Sequence, residues 1–311
     1  MINTCNIVTE YCFASVREKI VQLKESLEKK GLWPADIGIE DSDSEIREEN
    51  LFFISFSKQN ENTLRALMKK ISFRKRRIII ISNEEADYFD FAMEFNICNI
   101  INIGDLNENM LLGTILRFSK GDLGLEPFFE RDEIVFNRYY SLSGSLKIRN
   151  LIRDTFSDFI EKLDGTIKNI FMINCHELVT NALAYGVMGV TAYARDQKTY
   201  DFEHSVEIPQ NKSLQVHLLM DSKRYGISVM DPGGVLTTQR VLERIRRQSI
   251  VAGESVPQGV EDLTGRGLTI LSHHGLLVLS IKPGTFTEVS LISHFKSKFE
   301  RKPISILTME L

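Results

Sequence analysis

Glu177 and Asn181 stand four positions apart in Glu177-Leu-Val-Thr-Asn-Ala-Leu-Ala-Tyr-Gly186. On a helix that spacing projects both side chains from one face, one turn apart. Mg²⁺ takes oxygen ligands and keeps several waters, so one protein oxygen can suffice. Asn181 can supply that oxygen without adding charge beside phosphates. Glu177 can polarise a hydroxyl or a water as general base. Taken alone, the pair reads first as two polar residues on the wet face of an amphipathic helix. Two later glycine clusters sharpen the reading: Asp231-Pro-Gly-Gly234 and Gly265-Arg-Gly-Leu-Thr-Ile-Leu271. Asp231 ends an apolar strand-like run, where its carboxylate can accept a hydrogen bond from an adenine amino group. Gly233 lets backbone approach a base closely, although the tetrapeptide would also make a plain turn. Gly265 and Gly267 lead into an apolar helical run, which offers free N–H groups and a positive helix end to an anion. Arg266 can add charge there or face solvent.

The elements that must position these residues alternate in type. Asn6–Tyr11, Asn50–Ser57, Arg77–Ser82 and Ile97–Ile103 read as strands. The Ile- and Phe-rich runs among them are what buried parallel strands require. Helical patterns at Ala14–Lys30, Asn62–Phe73, Glu85–Phe95 and Asn107–Ser119 separate them. That alternation implies a parallel sheet with helices on both faces. Residues 121–134 form a linker broken by glycines and a proline. Beyond it, Glu133–Ser141 reads as a strand and Ser145–Leu163 as one long amphipathic helix capped by Ser145. Ile167–Tyr185 is a second helix and carries Glu177. Leu214–Asp221 with Tyr225–Asp231, and Leu276–Lys282 with Thr285–Ile292, read as hairpins. Helices followed by antiparallel strands indicate an α/β sandwich. The expected architecture is therefore a two-domain α/β chain: residues 1–120, then 135–295, with a tail at 296–311. That tail is basic and then apolar, and it can add an edge strand, dock on the first domain or stay mobile.

Together, Glu177, Val179-Thr-Asn-Ala182, Gly186, Asp231-Pro-Gly-Gly234, Gly265, Gly267, Thr269 and Ile270-Leu271 match a known pattern. Residues 130–295 resemble the ATP-binding (GHKL) domain shared by DNA gyrase, heat-shock chaperones, histidine kinases and mismatch-repair ATPases. More closely, they are similar to the bacterial anti-sigma-factor serine kinases. The resemblance implies that Asn181 binds Mg²⁺, that Glu177 is the catalytic base and that Asp231 reads adenine. It also implies that Gly265 and Gly267 cradle phosphates and that Thr287 approaches the base. There are departures. Val235 stands where a further glycine is common, Val187–Glu207 is a long insertion, and the lid (Leu236–Leu263) begins basic, with Arg240, Arg244, Arg246 and Arg247. Residues 1–120 resemble a receiver domain in element order only. Ser55 or Ser57 stands where a phosphoacceptor Asp belongs, and no Lys follows the fifth strand. The same order fits any flavodoxin-like domain. Asp41, Asp43 and Glu45 can mimic an acidic cluster or form a solvated loop. His176 precedes Glu177 as in a histidine-kinase box, but the rest of that box is missing. For His273-His274 no metal partners are identifiable.

Composition narrows the classes. At 311 residues two domains are expected, since single cores rarely grow past about 250–300 residues. A net charge of −4 argues against a dedicated nucleic-acid binder. No apolar run approaches the roughly 18 residues of a membrane span. The N-terminus lacks a basic region followed by an apolar core, so no secretory signal is expected. Four scattered cysteines (Cys5, Cys12, Cys98, Cys175) imply reduced, mostly buried thiols in a cytoplasmic protein. By resemblance the chain is a Mg-ATP-dependent serine/threonine kinase, acting on an anti-sigma-factor antagonist or holding a sigma factor, with a homodimer possible. Two alternatives stand beside it: a non-catalytic ATP/ADP-binding switch, and a fragment that phosphorylates another protein's histidine.

Overall fold

A computed structural model describes residues 5–40, 50–71, 77–82, 88–146, 148–189, 206–249, 256–259, 267–295 and 304–311. The chain is a mixed α/β protein built on one sheet of eleven strands. Its N-terminal part is β1 (Cys5–Val8), β2 (Ile37–Glu40), β3 (Leu51–Ser55), β4 (Ile78–Ser82) and β5 (Ile100–Asn102), all paired in parallel in the order β2-β1-β3-β4-β5. All five residues of β4, Ile78-Ile-Ile-Ile-Ser82, are buried, as a parallel strand covered on both faces must be. Ile78 and Ile80 face one core and Ile79 and Ile81 the other, the period-2 alternation of a pleated strand. Helices α1 (Ala14–Lys29), α2 (Glu61–Lys70) and α3 (Phe89–Phe95) lie between these strands in sequence, and α4 (Glu108–Lys120) follows β5.

The C-terminal part supplies β6 (Phe136–Leu142), β9 (Leu214–Met220), β10 (Arg224–Asp231), β11 (Leu276–Lys282) and β12 (Phe286–His294), paired antiparallel in the order β11-β12-β10-β9-β6. A small separate pair is formed by β7 (Gly144–Leu146) and β8 (Val206–Ile208). The single long helix expected over Ser145–Leu163 does not form. Ser145 lies in β7, and helical structure comes as α5 (Ile148–Thr155) and α6 (Ser157–Ile160). Phe156 breaks between them at φ −106°, ψ 20°. The break lets both Phe156 and Phe159 enter the core, Phe156 against Tyr140 and Phe159 against Phe136 and Phe171. Then follow α7 (Gly165–Asn181), α8 (Thr238–Gln248) and α9 (Gly267–His274).

The last strand, β13 (Ile306–Glu310), joins the two parts. It pairs parallel with β11 and antiparallel with β5, so this strand sits inside the sheet and not at its edge. Buried side chains tie the seam. Ser305 Oγ accepts from Asn102 N (3.0 Å) and donates to Asp105 (2.7 Å), and Thr308 N donates to Asn99 Oδ1 (2.7 Å). A second link is Arg117 of α4, wholly buried, which donates to the Leu279 carbonyl and to Ser280 Oγ of β11. Burial lowers its guanidinium pKa to about 10, opposed by the charge of Glu288. Both cores run through the whole sheet: each gathers residues from β3, β4 and β5 together with residues from β11 and β13. Among the described residues no helix is long and apolar enough to cross a membrane.

Candidate functional site

Helix α7 positions the first pair. Phe171, Cys175 and Leu178 form its buried stripe against the sheet. Asn174, Glu177 and Asn181 follow at i, i+3 and i+7, so they share an adjacent face. Asn174 is wholly buried, whereas Glu177 and Asn181 are half-buried. His176 is exposed. Cys175 is buried among apolar groups, which pushes its thiol well above the ordinary range, as burial also does to Cys12 and Cys98.

Immediately after Asn181 the helix widens into a π-helix, Ala182–Val187. Such segments frequently mark functional sites. The Met188 N–H reaches back to the Leu183 carbonyl (2.9 Å), and Lys212 Nζ caps the Val187 carbonyl (3.1 Å). The wider turn lays Gly186 flat against the end of β10. A Cβ at 186 would overlap the Asp231 carboxylate. A Cβ on Gly233 would stand 2.6 Å from the Gly186 carbonyl oxygen. Only bare backbone fits between these two segments.

Asp231, 6% exposed, ends β10 there. Its Oδ1 accepts from the Gly233 N–H (2.8 Å). Burial raises its carboxyl to about 6, partly offset by the backbone N–H groups of Gly233 and Gly234. Thr287 of β12 lies directly across the ladder from Asp231. Its hydroxyl is buried and makes no hydrogen bond. Buried polar atoms are rarely left so. The Thr180 and Thr269 hydroxyls are in the same condition.

Helix α9 brings in the third motif. A Cβ on Gly267 would overlap the Glu177 carboxylate and stand 3.1 Å from Asn181 Nδ2. The start of α9 therefore rests on the two polar side chains of α7 with no room for a side chain between them. At its other end His274 Nδ1 pairs with Asn174 Oδ1 at 2.6 Å. Burial lowers the His274 imidazole below its ordinary value, and His273 adds to the effect.

Glu177 and Asn181 thus both close on the position a Gly267 side chain would take, and Asp231, Gly233, Gly186 and Thr287 form a second group joined to the first through the π-helix. Gly265 and Arg266 lie outside the described residues, as do Asp41, Asp43 and Glu45 and most of the 187–207 insertion. Asn174 and His274 were missed as site residues. One polar residue set three positions before Glu177 in an apolar helix was the available signal. Among the described residues no three His, Cys, Asp or Glu side chains gather as a metal cluster. Asn181 is half-buried near Gly267, and its carboxamide oxygen is the donor type that a hard cation takes. In the N-terminal part the β1–α1 turn closes over the end of β3, where Ser55 N donates to the Tyr11 carbonyl (3.1 Å). Ser55 is wholly buried there and accepts from the Phe13 N–H (3.2 Å).

The basic segment after Asp231-Pro-Gly-Gly234 is helix α8, N-capped by Thr237, whose Oγ1 accepts from Arg240 N. Val241, Leu242 and Ile245 are buried, and α8 packs on α3 of the N-terminal part. Arg246 Nε lies 3.7 Å from Asp90 of that helix. No protein-family model matches the chain, and no curated protein matches it.

Proposed function

We propose that this chain binds Mg-ATP between α7, the end of β10 and the start of α9, and transfers its terminal phosphoryl group to a partner's serine or threonine. One observation carries the reading: Gly267 rests directly on Glu177 and Asn181. Three motifs far apart in sequence would have little reason to meet around bare glycine backbone unless something anionic is to be seated there. The buried Thr287 hydroxyl, paired across the ladder with Asp231 and making no hydrogen bond, adds an unused polar group suited to a purine edge. Asp231 and Thr287 would hold the base, Gly265 and Gly267 the phosphates, and Asn181 the Mg²⁺ along with phosphate oxygens and water. ATP supplies the phosphoryl group, and Mg²⁺ offsets its charge. Glu177 would take the proton of the attacking hydroxyl.

The antiparallel β11-β12-β10-β9-β6 order, with α7 packed on it, supports the GHKL and anti-sigma-kinase resemblance. The 2-1-3-4-5 order of the parallel strands supports a flavodoxin-like, receiver-like unit. Its buried Ser55 suits signalling through contact and not through phosphorylation. The partner would be an anti-sigma-factor antagonist or a sigma factor, and the chain would act in the cytoplasm.

A second reading, a non-catalytic ATP/ADP switch, is favoured by one feature: α8 is packed against α3. Glu177→Ala separates the two. If the chain is a kinase, the variant binds ATP normally but loses acid-stable phosphate transfer to the antagonist by at least about 10²-fold. If regulation of the partner persists in that variant with ATP bound, the kinase reading fails and the switch stands.

A further inference from the structure

We infer that Asn174 and His274 are positioning residues that set the spacing between the Glu177–Asn181 pair and Gly267, an inference that rests on the nucleotide-site reading. The pair spans the two helices that carry the chemistry. Helix α9 runs back along α7: Gly267 at its start abuts Glu177 and Asn181, and His274 at its end meets Asn174. Gly267 to His274 and Asn181 to Asn174 are both seven steps, a rise of roughly 10 Å in each helix. The two contacts therefore fix one helix against the other at matched heights.

The amide oxygen of Asn174 can only accept, so His274 Nδ1 carries the proton and donates it. The far end of α9 is held in two further ways. Ser293 Oγ of β12 donates to the His274 carbonyl (2.9 Å). A Cβ on Gly275 would overlap the Ile292 carbonyl, so the chain turns there against the strand. These anchors fix where α9 ends. The Asn174 bond fixes its direction relative to α7, and hence where Gly267 falls. Asn174 Nδ2 is buried and makes no hydrogen bond, so this amide is kept inside an apolar helix at a cost that packing alone does not explain. A shift of about 1 Å at Gly267 would suffice to disturb phosphate and metal geometry.

Calorimetric titration of the full chain tests this, with adenosine, ATP alone and ATP with Mg²⁺ as probes. The proteins compared are the unaltered chain, Asn174→Ala, His274→Ala, the double variant and His274→Asn, which returns an N–H donor close to the place of Nδ1. We expect each alanine variant to lose about tenfold of the Mg²⁺-dependent gain in ATP affinity. The double variant should lose no more than either single one, because the two residues act through one bond. Adenosine affinity should hold throughout, which also reports that the variants fold, and His274→Asn should recover most of the gain. A full Mg²⁺ gain in both alanine variants overturns the inference. So does a parallel loss of adenosine and ATP binding, which marks a structural role only. If the unaltered chain binds neither ligand, the nucleotide reading falls first and this inference with it.

Discussion

Burial raises the Asp231 carboxyl to about 6, and that sets two opposed expectations. A group whose pKa is raised by folding contributes stability that is present below its unfolded value and is lost as pH rises through the folded one. The charged carboxylate therefore opposes folding at neutral pH. Asp231→Asn should stabilise the free chain at pH 8 by about 1–3 kcal/mol, with the gain shrinking as pH falls below about 6. Thermal unfolding of both proteins at pH 8 and pH 5 measures it. The same carboxylate is the proposed acceptor for an adenine amino group, so ATP affinity should fall several-fold as pH drops through about 6. In Asp231→Asn it should be weak at every pH. A stabilised variant that binds ATP as tightly as the parent would remove Asp231 from the site.

Elements meet here through glycine backbone, which makes single methyl groups informative. Gly186→Ala places a Cβ in the Asp231 carboxylate, and Gly267→Ala places one in that of Glu177. Overpacking of this kind costs roughly 1–3 kcal/mol. Gly186→Ala should show that cost as a lower unfolding midpoint, since Gly186 and Asp231 are both buried. At Gly267 the obstacle is a half-exposed side chain, so the variant should fold normally and instead lose Mg²⁺-dependent ATP binding. Much of this arrangement was legible beforehand. The spacing of Glu177 and Asn181, the apolar run ending at Asp231 and the glycines before Leu268 located α7, β10 and α9 within a few residues. What was not legible is instructive. The π-helix at 182–187 has no period of its own in sequence, so Gly186 was quoted but not recognised as the contact to Asp231. Ser145 looked like an N-cap because Ser caps helices, yet it lies in β7 and the helical run is interrupted at Phe156. Ile37–Glu40 went unread as a strand, since four residues with a glycine carry little pattern before a partner strand is known.

At the scale of the molecule, the segments read from sequence as two domains and a tail share a single sheet. Strand position depends on non-local pairing, so residues 304–311 gave no sign that they would lie between β5 and β11. With β13 and Arg117 linking both parts, the intact chain should unfold in one cooperative transition. Ending the chain at residue 303 exposes two strand edges and removes Ser305 and Thr308, so it should broaden or split that transition and promote aggregation. Calorimetry with size-exclusion chromatography checks both expectations. The same continuity gives the N-terminal part a mechanical route to the site, because α3 packs on α8 just beyond Asp231. Everything proposed about that route depends on a nucleotide being bound. The direct test is calorimetric titration of the full chain with ATP, with and without Mg²⁺, beside Asn181→Ala. Saturable binding that strengthens with Mg²⁺ is expected, with loss of that gain alone in the variant. No binding at millimolar ATP, or a Mg²⁺ gain unchanged in Asn181→Ala, would contradict it.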